Sequence, residues 1–264
     1  MELAFALGRM GDPRVAADLR DPKTWVADPS IWVTVNPGTY RVGDAKLQKQ
    51  YGHEWALKPG KFQLEQPIKL SRFPVTNRQF AAFVADGGYT KEKYWIDKID
   101  GDDGWKWCQS NNITLPACCN DSKWNGETQP VVGVSWFEAM AYCRWANCQL
   151  PTDREWKAAA RGPKGWDYPW GNDWRDGICN SNETDLGVTT PVGIFTESKA
   201  ACGAEDLAGN VWEWCVDWHN VEKKEFRVVR GGSWNLNSWY ARSAFRGRNT
   251  PDDRLNYIGF RVVS

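Results

Sequence analysis

Few residues in this chain have the means to do chemistry, and they are scattered. Eight cysteines stand at 108, 118, 119, 143, 148, 179, 202 and 215. They include no CxxC pair, and adjacent Cys118 and Cys119 do not readily serve one tetrahedral site. They read as buried small hydrophobes or one or two structural disulfides rather than a metal cluster. The histidines are His53 and His219. His219, beside Asp217 and Trp218, is of the type of a general base, but no nucleophile or metal partner accompanies it, and a lone histidine reads as structural. No Ser-His-Asp order, Walker loop or HExxH occurs. One stretch offers oxygens to a hard cation: the carboxylates of Asp206 and Glu213, with the carbonyls of Gly209 and Val211 between them. The alternative for that stretch is that Asn210 and Glu213 hydrogen-bond loop backbone.

A second signal is compositional. Residues 1–225 hold 16 Lys, 13 Glu, 8 Gln and 3 Met, while 226–264 hold none of these four types. A compact, arginine-rich end that disfavours flexible side chains is the plain explanation for such a gap.

The elements that must position these residues form an α+β pattern with much irregular backbone. Residues 31–40 alternate apolar and polar side chains around Pro37-Gly38, a strand-turn-strand signature. A helix is expected over 76–85 with Phe80, Phe83 and Val84 on one face. Ser135 caps a second, with apolar residues at 136, 140, 143 and 146 on its buried face. Thr152 with Glu155 makes a capping box for a third. Residues 97–129 and 162–225 read as loops, the former anchored by Trp105, Trp107 and Trp124, and the C-terminal segment has strand-like ends around a polar middle. The chain holds 18 Trp, each of which must be packed and its N–H satisfied, as suits loops held by large side chains.

Length and charge bound the rest. The 264 residues, with 33 basic and 33 acidic side chains, read as an N-terminal helical stub or tether over 1–22, stopped at Gly11-Asp12-Pro13, and one domain over 23–264. Balanced charge suggests neither nucleic acid nor an anionic membrane as partner. No apolar run approaches the roughly 20 residues that span a bilayer. No signal peptide is visible, so the compartment stays open with the cytoplasm as the default.

The run PVVGVSWFEAMAYCRWANCQLPTDREWKAAARG over 130–162 and Tyr168-Pro169-Trp170-Gly171-Asn172 resemble the central signature of the formylglycine-generating, sulfatase-modifying-factor family. So do Asp206 to Trp214 (DLAGNVWEW), Arg230 to Trp234 (RGGSW) and Gly259-Phe260-Arg261, in the family's order. Upstream, Gly38-Thr39-Tyr40 and Pro74 to Asn77 look like its opening blocks. The resemblance implies a C-type-lectin-like fold of the formylglycine-generating-enzyme subtype, low in regular secondary structure, and calcium at Asp206, Gly209, Val211 and Glu213. Asp206 stands where those enzymes often have Asn. Their oxidative chemistry uses a cysteine pair just after the Gly-Gly-Ser-aromatic block, where thiolates bind copper, and residues 235–250 here contain no cysteine. The ergothioneine-synthesis relatives use a multi-histidine iron site that two histidines do not supply.

The last residues, RGGSWNLNSWYARSAFRGRNTPDDRLNYIGFRVV, resemble the variable region of diversity-generating-retroelement target proteins. That family's adenine-directed substitution never yields Lys, Glu, Gln or Met, nor Trp, so Trp239 must be fixed or come from another codon. The resemblance implies a framework of Gly231, Gly232, Ser233, Trp234, Arg242, Ser243, Arg246, Pro251, Arg254, Gly259, Phe260 and Arg261. Candidates for variation are Asn235, Asn237, Trp239, Tyr240, Phe245, Gly247, Asn249, Thr250, Asp253, Leu255, Asn256 and Tyr257, a palette suited to binding. Trp239, Phe245 and Tyr257 are expected at the surface. The expectation is a binding protein, not an enzyme, that takes an unidentified ligand, a protein or other macromolecule, through 235–257. No cofactor is required and calcium is the one allowed. Rival readings are a formylglycine-generating-type oxidase and a fixed-specificity binding module.

Overall fold

The computed structural model describes residues 30–52, 55–95 and 103–264, together with Ala6. Ala6 apart, the stub expected over 1–22 lies outside the described residues.

Strands β1 (Trp32–Val35) and β2 (Gly38–Val42) lead into helix α1 (Ala45–Tyr51), strands β3 (Gly60–Leu64) and β4 (Ile68–Ser71) and helix α2 (Asn77–Ala85). Helices α3 (Gly104–Ser110), α4 (Trp136–Trp145) and α5 (Asp153–Arg161) follow. Strands β5 (Trp212–Trp218), β6 (Arg227–Arg230), β7 (Gly247–Asn249) and β8 (Ile258–Gly259) complete the order. This is the C-type-lectin-like α+β fold of the formylglycine-generating-enzyme type.

The helix starts follow from local chemistry. Thr76, Ser135 and Thr152 each accept the backbone N–H of the residue three on, and Gln79, Glu138 and Glu155 return to the cap N–H. Each reciprocal pair satisfies two donors that a helix end leaves open. Helix α4 departs from the expected single apolar face: every residue in it except Arg144 is buried. Phe80 stacks on Tyr142 at 5.5 Å, and Phe260 lies edge-on to Tyr142 at 5.3 Å.

The strand-turn-strand signature yields two strands but no hairpin. β1 pairs antiparallel with β4 and β2 with β3, so Pro37-Gly38 directs the chain from one ribbon to another. The larger sheet has the order β7-β6-β5-β8, with β8 parallel to β5 and the other pairings antiparallel. β5 lies within a stretch expected to be loop, as α3 does.

The tryptophans hold the irregular backbone. Trp214 Nε1 donates to Val134 O at 3.0 Å and Trp136 Nε1 to Cys215 O at 3.1 Å. The Arg227 guanidinium carbon lies 3.8 Å from the Trp136 ring centroid and 3.4 Å from that of Trp218. All eight cysteines are free thiols. Burial pushes the Cys108 thiol up to about 11 and those of Cys143 and Cys215 well above the ordinary range. These three are poor sources of thiolate at neutral pH. No helix among the described residues is long and apolar enough to cross a membrane.

Candidate functional site

Between β6 and β8 the chain runs through 231–257 with only β7 as regular structure, and side chains fix its course. Gly231 and Gly232 have φ of 98° and 73°. A Cβ on Gly232 would come within 3.0 Å of the Tyr240 carbonyl, so the turn requires glycine for both its backbone angle and its close approach. Trp234 packs on Trp124 with centroids 5.3 Å apart. Its indole N–H donates to Asn256 O at 3.3 Å, tying the two ends of the segment together.

Five arginines of the C-terminal end reach carboxylates on other elements. Arg230 Nε and Arg246 Nε donate to Asp153 at 2.6 and 3.1 Å. Arg242 pairs with Asp167 at 2.7 Å and Arg254 Nε with Glu138 at 2.9 Å. Arg261 grips Glu213 through Nε and Nη2 at 2.6 and 2.7 Å. A guanidinium, planar and always charged, suits such pairs better than a lysine ammonium. Several framework positions thus favour arginine on structural grounds, which accounts for part of the lysine gap. It does not account for missing Glu, Gln and Met.

The candidate variable residues separate by exposure. Asn235, Asn237 and Trp239 are exposed, Trp239 at 37%. Tyr240, Asn249, Thr250, Asp253, Leu255, Asn256 and Tyr257 are half-buried. Asp253 Oδ2 accepts from Asn249 Nδ2 at 2.9 Å and Thr250 N at 3.0 Å, closing a turn. Two positions depart from expectation. Phe245 is 1% exposed and is surrounded by Tyr240, Trp55, Tyr51 and Trp212 at centroid distances of 4.8, 5.7, 5.9 and 6.1 Å. Gly247 is buried in β7, where a Cβ would meet Val229 at 2.8 Å and Trp212 at 3.1 Å. Both form the floor of the face, and Tyr257 is half-buried rather than exposed.

The structure adds aromatic neighbours that the sequence did not single out. Tyr51 lies edge-on to Trp239 at 6.2 Å. On the other side Arg242 stands 5.0 Å from the Trp239 ring and 5.4 Å from that of Tyr168, which stacks on Trp170 at 5.2 Å. No sequence period links Tyr51 or Trp55 to this face; only the fold brings them there.

In the oxygen-rich stretch, both carboxylates, Asp206 and Glu213, have partners within the protein. Glu213 is fully buried, and beyond its two bonds from Arg261 it accepts from Trp156 Nε1 at 2.6 Å. Its charge is therefore already met. Asp206 Oδ2 accepts from Gly193 N at 2.6 Å, and burial pushes its carboxyl up to about 7. Gly209, at φ 74°, lies so close to Asn180 that a Cβ would meet its carbonyl oxygen at 2.2 Å, and Val211 is packed in the core. Asn210 Oδ1 accepts from Thr190 N at 3.0 Å and Asn180 Nδ2 at 3.2 Å. Among the described residues no group of three or more His, Cys, Asp and Glu side chains could hold a metal ion. Residues 235–250 hold no cysteine.

The model of the sulfatase-modifying factor enzyme 1-like domain matches residues 21–264. The chain belongs to this family. It is 32% identical to the formylglycine-generating enzyme of Thermomonospora curvata, over 88% of this chain and 92% of that one. It is 31% identical to the hercynine oxygenase of Mycobacterium tuberculosis over 74% of this chain, and the match spans only 52% of that relative, about half its length. Among solved structures, Treponema denticola variable protein 1 shares the fold with a TM-score of 0.64 at 18% identity, covering 88% of this chain and 94% of that one.

Proposed function

We propose that this protein is a ligand-binding member of the family that displays a diversified surface over 235–257 on a rigid lectin-like scaffold. The observation that carries the reading is the division of labour within the segment. Arginines anchor it to Asp153, Asp167, Glu138 and Glu213, while Asn235, Asn237 and Trp239 between the anchors stand exposed. A face held in this way needs little further ordering when a ligand binds, which favours affinity across many sequences. The absence of Lys, Glu, Gln and Met from 226–264 supports retroelement-type codon restriction. The ligand is a protein or other macromolecule, and no cofactor is needed.

The reading is tested with a displayed library randomised at the exposed and half-buried candidates, with Phe245 and Gly247 held fixed. Most members should stay folded by protease resistance, and panning on unrelated protein baits should return binders that differ from bait to bait. A library that is mostly unfolded contradicts the reading. The catalytic alternative has the likeness to formylglycine-generating enzymes in its favour. Oxygen-dependent oxidation of a cysteine peptide, or stoichiometric copper binding, would establish it in place of the binding role.

A further inference from the structure

A cavity of about 560 Å³ lies between β2, β3, the start of α1 and the end of α5, and none of its lining residues belongs to the 235–257 segment. Its charged lining is Arg41, Lys46, Lys61 and Arg161 against Asp44 and Asp167. Both carboxylates have other work. Asp44 Oδ1 accepts the N–H groups of Lys46 and Leu47 at 2.7 and 3.1 Å, capping α1. Asp167 Oδ2 accepts from Arg242 at 2.7 Å.

The basic groups are left with charge to spare. Arg161 is buried, and its guanidinium donates only to neutral carbonyls: Gly43 O at 2.6 Å, Gly165 O at 3.0 Å and Trp166 O at 3.2 Å. It makes no ion pair among the described residues, and burial pulls its pKa below the usual arginine range. Above it, the register of β2 and β3 sets Arg41 directly opposite Lys61. Like charges facing across an antiparallel pair oppose the pairing. The Arg41 stem lies over Gly165, where a Cβ would meet its Cδ at 2.5 Å, which keeps the two guanidinium groups in one neighbourhood. A sheet with two like charges facing each other, beside a buried cation that Asp167 and Asp44 offset only in part and without an ion pair, is a structure that an anion would relieve.

We propose that this cavity binds a phosphate-bearing ligand, with Arg41, Lys46 and Lys61 taking the phosphoryl oxygens and Arg161 supplying positive potential from the floor. Several cationic groups around one cavity match the multiple charge and acceptor oxygens of a phosphate better than those of a single carboxylate. The volume exceeds one phosphate and admits a phosphorylated small molecule. The same chemistry is found on a phosphorylated lipid headgroup.

The test is calorimetric titration of the full chain with inorganic pyrophosphate at low ionic strength. A parallel arm measures flotation with phosphatidylcholine vesicles, with and without phosphatidylinositol phosphate. Saturable one-to-one binding of pyrophosphate is expected, weakened about tenfold or more by Arg41→Ala and by Lys61→Ala and unchanged by Lys69→Ala, a basic change on β4. A stability readout accompanies it: Lys61→Thr should hold or raise the Tm of the free protein while losing the rise that pyrophosphate gives the parent. Binding to the phosphorylated vesicles alone would support the site with a lipid source. No binding in either arm, or an equal loss in Lys69→Ala, would overturn the proposal.

Discussion

Raising the pH through neutrality should weaken the fold through Asp206. This side chain is buried, and one of its oxygens accepts from Gly193 N at 2.6 Å. Burial is the main force on its carboxyl and lifts it from 3.8 to about 7; Glu205 and Glu213 add to the rise, while the Gly193 N–H and Arg261 oppose it. Between these values the native protein holds a proton that the unfolded chain has released, so stability falls as pH rises. The contribution is complete below about pH 4 and is lost as pH passes through about 7. A three-unit shift at about 1.4 kcal/mol per unit sets a ceiling of about 4 kcal/mol. Asp206→Asn keeps an acceptor for Gly193 and cannot ionise. Urea unfolding of both proteins across this range should show the parent losing stability relative to the variant, by about 2–4 kcal/mol at the alkaline end. Parallel pH profiles would refute the reasoning, because other titrating groups are common to both proteins.

Lys157 acts with the opposite sign. Its Nζ is buried 3.7 Å from Asp153 Oδ1 without a hydrogen-bond partner, and burial is the main cause that lowers it to about 7. Stability should therefore rise with pH between about 7 and 10, and Lys157→Met should flatten that rise in urea profiles. Phe245→Ala should cost about 3–5 kcal/mol in chemical unfolding, because it empties a buried site ringed by four aromatic groups. Trp239→Ala, on the exposed side, should cost about 1 kcal/mol or less while removing ligand binding. Arg261→Ala should cost about 3–5 kcal/mol in chemical unfolding by leaving the Glu213 carboxylate buried without its ion-pair partner.

The parts of the fold that were legible in the sequence are those fixed by local chemistry. Thr76, Ser135 and Thr152 announce their helices because each cap closes within three residues. The family blocks likewise announced the lectin-like core. The pairing of strands was not legible: β1 and β2 look like a hairpin, but their partners lie beyond α1. β5 was missed because its WEWCVDW run is buried at five of seven positions and lacks the alternation of a half-exposed strand. At the candidate face the residue types could be read but not their depth. In irregular backbone no period separates inside from outside, so nothing local distinguishes Phe245 from Tyr240. The ion pair of Glu213 was not legible because its partner, Arg261, is 48 residues away.

The most direct test of the binding account is to sequence the 3′ end of the gene across its source population and search beside it for a near-copy template and a reverse transcriptase. The account predicts substitutions confined to adenine-templated codons, concentrated at Asn235, Asn237, Tyr240 and the half-buried positions from Asn249 to Tyr257, with the arginine anchors, Phe245 and Gly247 constant. An invariant 3′ end with no neighbouring template would contradict it.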